Sequence, residues 1–137
     1  MNSKKIKELL QKRKLKVTPT RLELLSSISK NGSSMSYSSI QKALEPIDRV
    51  TLYRTIESLK EKGIIHKAFQ DKNETYYAIC GISCAEDHHH HDHLHFKCLI
   101  CNTISCEKLE KPIEFSLPNF IINKTTINLE GTCKFCL

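Results

Sequence analysis

Residues 48–79 read DRVTLYRTIESLKEKGIIHKAFQDKNETYYAI, and this stretch decides the fold. Leu52, Ile56 and Leu59 fall at i, i+4 and i+7, one apolar stripe on a helix that opens at Asp48 or Arg49 and reaches Lys62. At about 100° per residue, Arg54 points almost opposite that stripe, Thr51 and Ser58 flank it, and Tyr53 lies to one side. Gly63 suits the left-handed position that ends a helix. Residues 64–69 and 75–79 then read as two β-strands joined by a polar turn over 70–74.

Working back towards the N-terminus, residues 4–13 carry Ile6, Leu9 and Leu10 at helical spacing among basic side chains. Leu15-Lys16-Val17-Thr18-Pro19 breaks that pattern; Thr18 can cap a second helix with Pro19 in its first position. This helix is expected to run to about Ser29 with Leu22, Leu25 and Ile28 inward, and Asn31-Gly32 ends it. Residues 33–36 read as a polar loop and 37–44 as a short helix with Ile40 and Leu44 inward, closed by Pro46. Short helices followed by a β-hairpin make a winged helix-turn-helix domain, expected over residues 1–80.

Working forward, residues 81–92 form a polar connector dense in histidine and containing Cys84. Residues 94–100 and 103–106 read as strands around a Cys-x-x-Cys knuckle, Pro112 and Pro118 break the middle, and 120–129 is β-rich. The fold class is therefore α+β: the winged helix, a His/Cys-rich hinge over 81–92, and a small metal-binding domain over 93–137.

The 137 residues allow one ordinary domain or two small ones, and 39% apolar with 26% charged residues fits a globular chain. No apolar run approaches the ~18 residues of a membrane span, and MNSKKIKELL lacks the apolar stretch of a secretory signal, so a cytoplasmic protein is expected. Residues 1–83 hold 16 Lys/Arg against 8 Asp/Glu, whereas 84–137 hold 5 against 7. The basic front half fits a polyanionic partner, or else an ordinary solvated surface. All seven cysteines lie between Cys80 and Cys136, and in a reducing compartment such a cluster points to metal rather than to disulfides.

Cys98-x-x-Cys101 paired with Cys133-x-x-Cys136 can supply four thiolates to one tetrahedral zinc ion. A four-sulfur site leaves no open position, so its role is structural. In the run Asp87-His88-His89-His90-His91-Asp92-His93-Leu94-His95, the pair His93 and His95 alternates on a strand leading into Cys98. They are candidate ligands of a second, exchangeable metal, with Cys80, Cys84, His91, Cys106 and Glu107 available to complete the set. On the helix over 49–62, Thr51 and Arg54 suit phosphate and base-edge contacts in a DNA major groove. No helical His-Glu-x-x-His pair is present, and an enzyme is not expected.

Leu15-Lys16-Val17-Thr18-Pro19-Thr20-Arg21, Val50-Thr51-Leu52-Tyr53-Arg54-Thr55-Ile56, Leu59-x-x-x-Gly63-Ile64-Ile65 and His93-x-His95-x-x-Cys98-x-x-Cys101 occur in that order, ahead of the terminal Cys-x-x-Cys. Together they resemble the ferric uptake regulator family across nearly the whole chain. The resemblance implies a winged-helix reader followed by a C-terminal α/β dimerisation domain, in a homodimeric, metal-dependent repressor of metal-homeostasis genes that binds palindromic double-stranded operators. By position it implies DNA contacts from Lys16, Tyr53 and Arg54, with Arg21 in the same basic motif; structural zinc at the four paired cysteines; and regulatory ligation by His93 and His95. The chain departs from the pattern where Ser34 stands in place of a regulatory histidine, Cys106 in place of a carboxylate and Thr125 in place of another histidine. Residues 81–91 look like an insertion. Thiolate with imidazole suits zinc, whereas carboxylate-rich sites suit iron(II) or manganese(II), so a zinc-responsive regulator is favoured over an iron- or peroxide-responsive one. A metal buffer or thiol redox switch using Cys80, Cys84 and Cys106 is the reading from a different class.

Overall fold

The computed structural model describes residues 2–31, 34–70, 73–79, 93–111, 113–123, 125 and 127–137, with the side chains of His93, Cys106 and Lys108 set aside. Four helices lead: α1 (Ser3–Lys12), α2 (Pro19–Lys30), α3 (Tyr37–Ala43) and α4 (Arg49–Glu61). Strand β1 (Ser34–Ser36) precedes α3, and β2 (Ile65–Gln70) and β3 (Thr75–Ile79) follow α4. They form one antiparallel sheet in the order β1-β3-β2. Strands β4 (His93–Cys98), β5 (Ile104–Lys108) and β6 (Asn128–Gly131) form a second sheet in the order β5-β4-β6, with β4 antiparallel to β5 and parallel to β6. None of the described helices is long and apolar enough to cross a membrane.

Helix boundaries follow from side chains that satisfy the free N–H groups of each first turn. Asn2 Oδ1 accepts from Lys5 N at 2.9 Å, Thr18 Oγ1 from Arg21 N at 3.2 Å, Ser36 Oγ from Ser39 N at 3.2 Å and Asp48 Oδ2 from Thr51 N at 3.2 Å. The Thr51 hydrogen bonds hold the Asp48 carboxyl below its ordinary range. Gly63, at φ 70°, ends α4 as its position suggests.

One core joins the helices to the first sheet. Ile6 and Leu10 of α1, Leu24, Leu25 and Ile28 of α2, Ile40 of α3, and Leu52, Ile56 and Leu59 of α4 are buried in it with Ile64 and Ile65. Ile56 lies in its middle, and Ile56→Ala should destabilise the chain by about 2–5 kcal/mol, because a cavity replaces packed methyl groups. Urea unfolding followed by circular dichroism would measure this; an unchanged midpoint would contradict the packing described. Arg13, 7% exposed, donates from Nη1 to the Lys62 carbonyl at 3.3 Å, placing a cation at the C-terminal end of α4.

Two expectations need correction. Residues 34–36 are a strand rather than a loop, with Ser34 and Ser36 buried. Their hydroxyls are satisfied by Ile104 O and by the first turn of α3, so polarity does not force them outward. Among the described residues of the β-rich segment from 120 onward, the strand covers Asn128–Gly131. Phe120 and Ile121 are 72% and 90% exposed, and Phe120 N donates back to Leu117 O at 3.2 Å in a turn: β-prone side chains do not make a strand where no neighbouring strand is within reach. Ladder bonding starts where the free edge of β4 is reached, with His95 N donating to Ile127 O at 3.1 Å.

Candidate metal centres and nucleic-acid interface

The exposed face of α4 is built by the same stripe that buries its other side. With Leu52, Ile56 and Leu59 in the core, Arg49, Val50, Thr51, Tyr53 and Arg54 are left exposed on the N-terminal half. Tyr53 is 60% exposed, more than an interior-facing aromatic would allow. Lys16 is exposed in the turn before α2. Arg21 is half-buried and donates from Nη1 to the Lys16 carbonyl at 2.7 Å, so its guanidinium fixes the backbone that presents Lys16. Lys16, Thr51, Tyr53 and Arg54 are thus all presented to solvent, with Arg21 supporting the first.

The second constellation is the four paired cysteines. Strand β4 delivers Cys98, and the turn after it returns the chain with Asn102 at φ 60° and its N–H on Cys98 O at 2.9 Å. Parallel pairing of β6 sets Gly131 beside Cys98, and Leu99 N donates to Gly131 O at 2.8 Å, which brings the terminal knuckle alongside the first. The sulfurs of Cys98, Cys101, Cys133 and Cys136 lie within 4.8 Å of one another, with Cys101 Sγ and Cys133 Sγ 3.9 Å apart. A tetrahedral zinc with ~2.3 Å bonds to sulfur needs sulfurs about 3.8 Å apart, so the cluster fits the ion.

Its electrostatics are divided. The N–H groups of Cys101 and Cys133 donate to Cys98 Sγ and hold that thiol down to about 6. Cys136 is pushed up to about 12, chiefly by its sulfur contact with Cys133 and then by burial. Cys98 therefore gives up its proton most readily, while a metal must displace the proton of Cys136. Because protons compete with the metal for these thiolates, metal affinity falls as pH is lowered.

A third feature leaves no local mark in the sequence. His66 of β2 and His95 of β4 approach with their Nε2 atoms 2.7 Å apart and their rings stacked at 4.8 Å between centroids. They join the two sheets. At that distance one ring donates to the other; two imidazoles on one zinc at ~2.0–2.1 Å would need their nitrogens about 3.3 Å apart, so the rings would part by a few tenths of an ångström to hold a cation. A single histidine in Gly63-Ile64-Ile65-His66-Lys67 reads as an ordinary half-buried strand position, and nothing local marks it. His93 stands two residues before His95 on β4, and Cys106 is the backbone register partner of His95 on β5. Cys80, Cys84 and His91 lie outside the described residues.

The family model of the ferric uptake regulator family matches residues 12–129. A search of curated protein sequences returns no match. Among solved structures, a zinc uptake regulator complexed with zinc and DNA aligns at a TM-score of 0.69 and 23% identity, over 98% of this chain and 91% of the other. A holo form of the protein XcZur aligns at 0.70 and 18% identity, over 98% and 95%. The Vibrio cholerae ferric uptake regulator aligns at 0.57 and 22% identity, over 92% and 98%. These identities speak for the fold. The family match spans most of the length and includes both α4 and the first cysteine knuckle: the chain belongs to the ferric uptake regulator family.

Proposed function

We propose that this chain is a metal-dependent, DNA-binding transcriptional repressor that responds to zinc. The observation that carries the reading is the His66–His95 contact, which places two imidazoles from different sheets on one point. His66 lies on β2, three residues beyond the Gly63 that ends α4, so whatever holds the pair also sets the reading helix relative to the second sheet. His93, Cys80, Cys84, His91 and Cys106 are the further ligand candidates. A thiolate and imidazole set favours zinc over the harder iron(II) and manganese(II). Bound there, the cation would supply a clamp between the two sheets. Structural zinc at Cys98, Cys101, Cys133 and Cys136 would hold the chain end.

On this reading residues 1–80 read DNA, 81–92 are the hinge and 93–137 dimerise. Ile113, Phe115, Leu117, Phe120 and Ile121 are exposed, an apolar surface that a second copy would cover. The zinc- and DNA-bound relative of the same fold supports DNA as the partner; that the DNA is a double-stranded palindrome is what the family resemblance implies. The two reading helices of a dimer meet successive half-sites only at one separation. Fixing that separation through the His pair is a coupling of about 1–3 kcal/mol, or about 5- to 150-fold in affinity.

The test is a binding titration of a duplex selected from a random library by the zinc-loaded protein, repeated with zinc, iron(II) and manganese(II) at buffered free concentrations. Zinc should activate at the lowest concentration; activation by iron(II) alone would overturn the zinc assignment. In the same assay Arg54→Ala should weaken binding by about 1–3 kcal/mol with zinc content unchanged, and wild-type affinity would remove α4 as the reader.

A further inference from the structure

The junction of the two sheets holds a second contact that needs no metal. Ser34 of β1 is 6% exposed, and its hydroxyl donates to the Ile104 carbonyl of β5 at 2.6 Å. Two features hold that donor in place and a third holds its acceptor. Asn31 Nδ2 donates to the Ser34 carbonyl at 3.0 Å. β1 pairs with β3, setting Ser34 opposite Ala78. Ile104 is buried with Ala78 and Ala68, so the carbonyl that accepts the bond projects from an apolar contact spanning both sheets. Lys97 Nζ lies 5.3 Å from the centre of the Phe69 ring, another link between β4 and β2.

We propose that Ser34 is a positioning residue for metal-dependent DNA binding: its hydrogen bond to Ile104 holds the reading unit partly closed on the second sheet before metal arrives. A serine hydroxyl at 2.6 Å from a carbonyl is occupied as a donor, and here it joins the sheets directly. The His66–His95 pair then completes a closure that Ser34 has already biased. Apparent metal affinity scales with the fraction of chains already closed, so removing the bond leaves the metal more work to do. The proposal rests on the function argued above, and it differs from that function in placing part of the closure outside the metal site.

Ser34→Ala removes the hydroxyl without adding bulk, and Ser34→Thr restores it on a strand position that tolerates β-branching. The zinc concentration giving half-maximal binding of the selected duplex should rise about three- to tenfold in Ser34→Ala, the effect of one net hydrogen bond. Affinity at saturating zinc should change much less, and Ser34→Thr should return the midpoint towards wild type. Hydrogen exchange of the full-length protein without DNA gives the independent readout: amides of β1 and β5 should exchange faster in zinc-free Ser34→Ala, with α1 and α4 unchanged. An unchanged midpoint together with unchanged exchange overturns the proposal. If the wild-type protein shows no zinc-dependent DNA binding, the functional reading fails, and the exchange experiment still decides whether Ser34 holds the sheets together.

Discussion

Replacing Cys98 and Cys133 by serine is expected to remove one zinc ion per chain and to unfold the second sheet while the helical part stays folded. Each knuckle then keeps a single thiolate, too few to hold zinc in a four-sulfur site. The asymmetry follows from where the apolar burial lies. The helices and the first sheet share a continuous core from Ile6 to Tyr77. Beyond residue 92, the buried side chains among the described residues are Leu94, His95, Cys98 and Ile104, while Phe120, Ile121, Phe135 and Leu137 are exposed. So small an apolar core leaves this part of the chain marginal without a further staple. A structural zinc ion contributes on the order of 10 kcal/mol, comparable to the whole stability of a small domain. Metal analysis should show the lost ion, and limited proteolysis should cleave beyond β3 while leaving a resistant fragment that holds α1 to β3. Full zinc content and an intact C-terminal part in the double variant would show that the cluster does not hold the fold.

Much of this architecture is legible in the sequence because its signals are local. Thr18-Pro19, Asp48 and Gly63 mark helix ends through their own backbone and side-chain preferences, and the stripe Leu52, Ile56, Leu59 reports burial through its period alone. The two Cys-x-x-Cys knuckles are legible for the same reason: each is a turn, and only their meeting is long-range. What the sequence hides depends on tertiary neighbours. Ser34 and Ser36 look like loop residues until β3 offers a ladder and Ile104 an acceptor. Residues 120–129 look β-rich, but among the described residues the backbone meets the edge of β4 from Ile127 and Asn128 onward. His66 carries no local signal because its partner lies 29 residues away on another sheet.

The pair that the sequence hides also has the largest expected effect on regulation. His66→Ala combined with His95→Gln should reduce zinc-dependent activation of DNA binding from the 5- to 150-fold expected of a coupling of about 1–3 kcal/mol to roughly none, with the four-cysteine zinc retained. Coupling demands that the metal distinguish the closed arrangement from the open one, and a ligand pair within one sheet would not do so. His66 and His95 satisfy the demand because β2 belongs to the sheet carrying α4, and β4 to the sheet carrying Cys98. His93, by contrast, shares β4 with His95, so losing it alone should lower zinc affinity while leaving a clamp between the sheets. The single variants His66→Ala and His93→Ala thus separate two roles. The first should lose the response at any zinc concentration, and the second should shift it to higher zinc. Zinc stoichiometry by metal analysis, run beside the DNA titration, should fall by one ion from the wild-type count in the double variant and leave one per chain. A full zinc response with His66 absent would place the clamp elsewhere and remove the proposed link from β2 to α4.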